Sequence, residues 1–231
     1  MRSCEDAIIP SSPHGSGLSI WWKYFGQNNK LIILLAKEDK KVIGIAPLMY
    51  SVYSLSGLRR GKKEFIGTPA TDYNNFLITE KRTDCLNLFF NYLYNIQEKW
   101  ECIDLLDIPE EAGCLQFIAK SSKSIKVIYR CPNVILPKTV DKLMNDLGPK
   151  MRHYLRNTLK RLEKIDSKIN FVDYSNPKLV KDGMAILFKL HQKRWSQKGF
   201  SGVYSQEIIC NFHAELASSL SQNCLLGLYS L

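Results

Sequence analysis

The stretch Leu31-Ile32-Ile33-Leu34-Leu35-Ala36-Lys37-Glu38-Asp39-Lys40-Lys41-Val42-Ile43-Gly44-Ile45-Ala46-Pro47-Leu48-Met49 decides how the first half of the chain is read. Two apolar runs of strand length, 31–37 and 41–49, are joined by the charged triplet Glu38-Asp39-Lys40. That pattern predicts a β-hairpin. Upstream, 18–25 is apolar and aromatic and reads as a short helix carrying Trp21, Trp22, Tyr24 and Phe25, with Ser16 or Ser19 as its cap. Downstream, 64–67 and 75–79 read as short strands around a polar loop. Apolar residues at Leu86, Phe89, Phe90 and Leu93 give a helix over 83–100 with one buried face. A strand over 102–106, a helix opened by Pro109 and running to about Lys120, and a strand over 125–129 complete this part. The order is mixed α/β and matches neither strict βαβ alternation nor an all-β barrel.

Pro132 and Pro137 punctuate a crossover into a second part. A small helix over 139–147 ends at Gly148-Pro149. The next helix, 150–165, is the best defined in the chain. Met151, Leu155, Thr158, Leu159, Leu162 and Ile165 form an apolar face expected to pack inward, beside a stripe of Arg152, Arg156, Lys160 and Lys164. A strand over 169–172, a helix from Asn176-Pro177 to about Gln197, a helix capped by Ser205 to about Leu220, and a strand over 225–231 follow. The predicted organisation is a loose lead-in (1–17), a first domain (18–137) and a partial second domain (138–231). No partner is evident for the last strand, so self-association through that apolar edge is expected.

Composition removes several classes. Apolar residues make up 45% of the 231 and charged residues 23%, which excludes a disordered, collagen-like or bare coiled-coil chain. The longest apolar run, 31–36, falls far short of the roughly 20 residues of a membrane span. The first residues lack the apolar stretch of a secretion signal, so the cytosol is the expected compartment. Seven cysteines with no Cys-x-x-Cys pair read as buried, reduced thiols rather than a zinc site, and no His/Asp/Glu spacing suggests a metal. The net charge of +10 is concentrated: residues 138–198 hold 15 Lys/Arg against 6 Asp/Glu, so the rest of the chain is nearly neutral. Such a segment suits an anionic ligand.

Three groups of residues carry candidate chemistry. The loop 67–76 packs Asp72, Tyr73 and Asn75 between two strands. These groups either orient a polar substrate or bond their own backbone as turn residues. His191, Arg194 and Trp195 end a helix, with His191 and Trp195 on one face. They either bind an anionic or acyl group or simply complement the helix dipole and the core. Arg152 and Arg156 stand in the basic stripe, which reads as a solvated face, an anion site or, less readily, a nucleic-acid track. His213 has no chemical company in the sequence. Gly57-Leu58-Arg59-Arg60-Gly61-Lys62-Lys63 falls one residue short of a phosphate loop and reads as a basic surface turn.

Seven segments stand in a familiar order: Trp21-Trp22-Lys23-Tyr24-Phe25-Gly26, Ile43 to Met49, Phe65-Ile66-Gly67-Thr68-Pro69, Asp72 to Ile78, Asp104 to Glu110, Arg152-His153-Tyr154-Leu155-Arg156-Asn157, and His191-Gln192-Lys193-Arg194-Trp195. Together they resemble the CelD-like acetyltransferase family, linked to cellulose and other exopolysaccharide biosynthesis. That family is placed in the GNAT superfamily and is related to the Fem peptidoglycan aminoacyltransferases. The resemblance implies one full, degenerate GNAT-like copy and the start of a second. It implies acyl transfer from acetyl-CoA or another acyl-CoA to a hydroxyl or amine acceptor, a small molecule or saccharide. It places Asp72, Tyr73 and Asn75 on the acceptor side, and Arg152, Arg156, His191, Arg194 and Trp195 on the anionic or acyl side. The family holds the CoA pyrophosphate on backbone N–H groups at a Gly-rich turn. The corresponding segment 76–82 has no Gly, so this copy is not expected to bind CoA. The second turn would lie beyond Leu231, and the chain is expected to be shorter than the family there. Two other readings stand beside this one: a Fem-type transferase with charged tRNA as donor, and a non-catalytic binding module.

Overall fold

The computed structural model describes residues 13–68, 71–95, 102–121, 125–132, 134–164 and 169–231. Residues 69–70 of the polar loop, 96–100 of the expected second helix and Ile165 of the basic helix lie outside them. Helix α1 (Pro13–Phe25) begins five residues before the expected start. The hairpin is as read. Strand β1 (Lys30–Glu38) pairs antiparallel with β2 (Lys41–Leu55) from Lys30↔Tyr50 to Glu38↔Lys41, and Asp39 takes a φ of 52° in the turn. Strand β2 runs past Met49 to a second turn, Ser56-Gly57, where both φ values are positive (52° and 81°). That turn matches the twist of a hairpin. It returns the chain as β3 (Leu58–Phe65). Of the expected basic turn, 57–63, only Gly57 therefore turns. The rest is strand, because Lys63 and Phe65 alternate onto the core face.

Pro47 governs the sheet. Its carbonyl accepts from Ile66 N at 3.0 Å, on the β3 side. In a strand, a residue's N and C=O face the same neighbour, so the missing N–H of Pro47 also faces that side. The ladder breaks there. Strand β3 follows β2 down to Leu48↔Phe65 and leaves. Strand β4 (Leu77–Ile78) takes up the same edge at Ile45↔Leu77 and Gly44↔Ile78. The loop 66–76 is the excursion between them. Strand β5 (Cys102–Ile103) pairs parallel to β3, giving a mixed sheet of order β1-β2-β3-β5 with β4 beside β2.

The sheet has two covered faces. On one, Ile32, Ala46, Leu48 and Phe65 pack with Phe76 and with Leu86, Phe89, Phe90 and Leu93 of α2 (Arg82–Asn95). Helix α3 (Leu115–Ser121) adds Ile118; residues 109–114, expected to be helical, form turns instead. Lys63, wholly buried, points the same way and donates from Nζ to Leu93 O at 3.0 Å, satisfying a carbonyl near the helix end. On the other face Met49 and Ile66 pack with Ile20 and Trp21 of α1 and with Phe212. Glu64, opposite Met49, is buried there, accepting from Ser51 Oγ and paired with Lys62 Nζ at 2.5 Å.

Phe212 belongs to the second part of the chain. Helices α4 (Val140–Asp146) and α5 (Pro149–Lys164) come first. Thr139 caps α4 by accepting from Lys142 N at 3.2 Å. Pro149 does not merely end α4; it is the first residue of α5, where its missing N–H costs nothing. The expected packing of the α5 apolar face is not found: no residue of α5 is buried. Residues 125–129, expected as a strand, form none. Strand β6 (Val172–Asp173), α6 (Val180–Ser196), a 3-10 turn (Val203–Ser205), α7 (Glu207–Gln222) and β7 (Tyr229–Ser230) follow. Helix α7 is preceded by Gln206 rather than capped by Ser205, whose hydroxyl donates to Gly202 O. Strand β7 has the partner that the sequence did not reveal: it pairs antiparallel with β6. Helix α7 lies against α1, where Glu215 accepts from Lys23 Nζ (2.6 Å) and Tyr24 Oη (2.7 Å). Among the described residues no helix is long and apolar enough to cross a membrane.

Phe76 sits where the interrupted strand re-enters the sheet, with ring centroids 5.2 Å from Phe65 and 5.9 Å from both Phe89 and Phe90. Phe76→Ala is expected to lower unfolding free energy by about 3–5 kcal/mol in denaturant titrations. A loss below about 1 kcal/mol would show that this cluster is not the core.

Candidate functional site

The end of α6 builds a pocket. The helix carries Lys193 and Arg194 in its last turn, where the dipole favours cations. Gly199 then takes a φ of 80°, and the chain folds back so that Phe200 N donates to Trp195 O at 3.0 Å. This left-handed reversal is a common helix stop. It brings the Phe200 ring edge-on to Trp195, centroids 5.9 Å apart. Gly202 passes so close to the helix that a Cβ there would sit 3.1 Å from both His191 Cε1 and Trp195 Cβ. Its φ of 72° also disfavours any side chain. Gln192 Nε2 ties this return segment to the helix through Ser201 O at 2.6 Å.

His191, Trp195, Phe200, Ser201, Gly202 and Val203 line an open cavity of about 400 Å³. Among the described residues, His191 Nδ1 and Gln192 Oε1 are buried without a hydrogen-bond partner. Lys198 Nζ stands 5.4 Å from the centroid of the Trp195 ring. Behind the pocket runs a column of rings: His191 meets Tyr204 edge-on at 4.7 Å, Tyr204 meets His213 at 5.3 Å, and His213 meets Phe212 at 5.0 Å. Burial pushes the Tyr204 phenol up and holds the His213 imidazole below its ordinary value. The arrangement offers two aromatic walls, an imidazole and flanking cations. Chemically, that suits an acyl or aminoacyl group with an anionic neighbour.

The other candidates lie elsewhere. Asp72 is exposed and Tyr73 is 70% exposed on the loop at the sheet break. Asn75 is turned to the fold: its Oδ1 accepts from Phe76 N at 2.9 Å and from Cys114 Sγ at 3.1 Å. Its neighbour Asn74, buried, donates to Asp107 O through its backbone and to Leu106 O through Nδ2. These bonds hold the loop along the segment after β5. Arg152 donates from Nη1 to Asn145 O at 3.3 Å, and Arg156 and Arg194 are exposed. Of the eight candidates, His191 and Trp195 are in ring contact, centroids 5.9 Å apart. Among the described residues, no hydrogen bond, ion pair or ring contact joins that pair to Asp72, Tyr73, Arg152 or Arg156.

Sequence reading missed Phe200, Gly202, Tyr204 and His213. The paired glycines 199 and 202 behind a helix end were the available signal for the first two. His213 has company after all, supplied by Tyr204 and Phe212. Among the described residues the buried thiols are Cys85 and Cys114, each pushed up by burial; Cys131 and Cys224 are exposed.

The lowered His213 value has a consequence for stability. Below the ordinary imidazole value of 6.5 the unfolded chain takes up a proton that the folded chain refuses, so folding stability falls as pH drops from there toward the folded value. His213→Leu is expected to remove that slope in melting curves taken above the carboxylate range. Parallel curves for the two proteins would contradict the burial of this ring.

No family model matches the chain, and no curated protein matches it. A solved structure, the crystal structure of FemX, does: the TM-score is 0.54 at 16% identity, over 90% of this chain and 49% of that one. The chain therefore spans about half the length of the FemX structure. At this identity the likeness establishes the fold: a mixed α/β architecture related to that of FemX.

Proposed function

We propose that the chain belongs to a Fem-type transferase that moves an aminoacyl group from charged tRNA to an amine acceptor. One observation carries this reading above all: the likeness to FemX extends over nine-tenths of the chain, across both parts. In such a reaction the acceptor nitrogen attacks the ester carbonyl, forming the C–N bond. The C–O bond to the tRNA ribose breaks, the ribose oxygen leaves as a hydroxyl, and the attacking amine gives up a proton. The protein's work is to align the two reactants and steady the oxyanion. On this reading the His191–Trp195 pocket receives the aminoacyl end, and Asp72 and Tyr73 meet the acceptor. The first GNAT-like copy is residues 18–137, and 138–231 contributes the start of the second.

Transfer from acetyl-CoA to a saccharide or other hydroxyl acceptor, as in the CelD-like family, is the rival. The likeness to FemX favours the aminoacyl donor over it; the turn between β4 and α2 does not separate the two, because the first copy is not expected to bind CoA in either. Glu80 and Lys81 fill that turn, paired with Lys41 (2.5 Å) and Glu38.

The test is transfer of a labelled aminoacyl group from tRNA to a peptide amine, run beside an assay for thiol release from acetyl-CoA. Label should appear on the peptide, and His191→Ala or Trp195→Ala should cut kcat/KM by about a hundredfold. Thiol release without label transfer would reverse the choice of donor. Neither activity would leave the binding-module reading in its place.

A further inference from the structure

Helix α5 has an amphipathic pattern, yet no residue of its apolar side is buried among the described residues. At 100° per residue, Met151, Tyr154, Leu155, Thr158, Leu159 and Leu162 fall within one arc of about 140°. Lys150, Arg152, Arg156, Lys160, Arg161 and Lys164 occupy the remainder, with Glu163 the single acid. In a globular protein such an arc faces the core. Here Met151 is 50%, Tyr154 65% and Leu159 56% exposed. The approach to the helix is similar: Ile135, Leu136 and Val140 are all largely exposed.

We propose that α5 lies flat on an anionic phospholipid surface, with Met151, Leu155, Leu159 and Leu162 among the acyl chains and the six cations in the headgroup layer. Both faces of the helix are used in this arrangement. A nucleic-acid track uses the basic face alone and leaves the leucines in water. A second copy of the chain would press two helices together with Arg152 and Arg156 beside the seam in each, and like charges would oppose the pairing. Tyr154 sits at the border of the apolar arc, the depth at which an amphipathic ring is favoured at a membrane surface. Flanking Arg and Lys stems reach from the acyl boundary to the phosphates. The inference stands on α5 alone and does not depend on the donor or acceptor chemistry.

The test is co-sedimentation of the full chain with vesicles of phosphatidylcholine, and of phosphatidylcholine mixed with phosphatidylglycerol. Two triple variants accompany it: Leu155→Ser/Leu159→Ser/Leu162→Ser and Arg152→Gln/Arg156→Gln/Lys160→Gln. None of these residues is buried, and circular dichroism with a melting curve checks that both variants keep the fold. The expected result is binding to the anionic vesicles, weakened roughly a hundredfold by the charge variant and by about tenfold or more by the leucine variant. Three results would overturn the proposal. One is no binding to anionic vesicles. Another is binding that the leucine variant leaves intact, which would make the contact purely electrostatic. The third is binding that the charge variant leaves intact, which would mean that the cations do not meet the headgroups.

Discussion

Pro47 has no N–H to give to the strand beside it, and much of the described structure follows from that gap. The ladder on that side of β2 cannot run through, so the chain leaves at Ile66 and returns at Leu77. The departure and the return send two residues to opposite faces. Ile66 goes to the α1 side, where it meets Trp21, Met49 and Phe212. Phe76 goes to the α2 side and stacks into the aromatic core. The same excursion carries Asp72 and Tyr73 out to solvent while Asn74 is drawn in to bind the segment after β5.

From Ile66 the packing continues into the second part of the chain. Phe212 bridges α7 to Phe25 of α1, centroids 5.2 Å apart, and its neighbour His213 begins the column that ends at Trp195. The candidate pocket is thus joined to the sheet through contiguous rings rather than through a loop alone. The ion pair of Lys23 with Glu215 adds little in such exposed surroundings. Apolar and aromatic burial hold the two parts together.

The readable parts of the sequence were those whose signals are local. The first hairpin declares itself through two apolar runs and a charged turn. Helix α4 declares itself through its stop at Gly148-Pro149, and α2 through the spacing of Leu86, Phe89, Phe90 and Leu93. What failed was set by partners distant in sequence. Residues 125–129 have strand composition but pair with no strand among the described residues. Strand β7 found its partner in β6, more than fifty residues away. Lys63 lies in a run of charge that looks like surface, yet the pleat turns it toward the core with Phe65, and Leu93 O receives its ammonium. In the site, His191 and Trp195 were legible because i and i+4 share a helix face. Tyr204 and His213 were not, because only the fold-back at Gly199 and Gly202 and the docking of α7 bring them near.

Docking of α7 on α1 is the claim on which both the fold and the pocket rest. A double-mutant cycle between Phe25→Ala and Phe212→Ala, read by denaturant unfolding, tests it directly. The two losses should be coupled by about 0.5–1.5 kcal/mol, as expected of an aromatic pair in contact. Additive losses, equal within about 0.3 kcal/mol, would mean that the rings do not touch and that the C-terminal helices are not held against the first sheet.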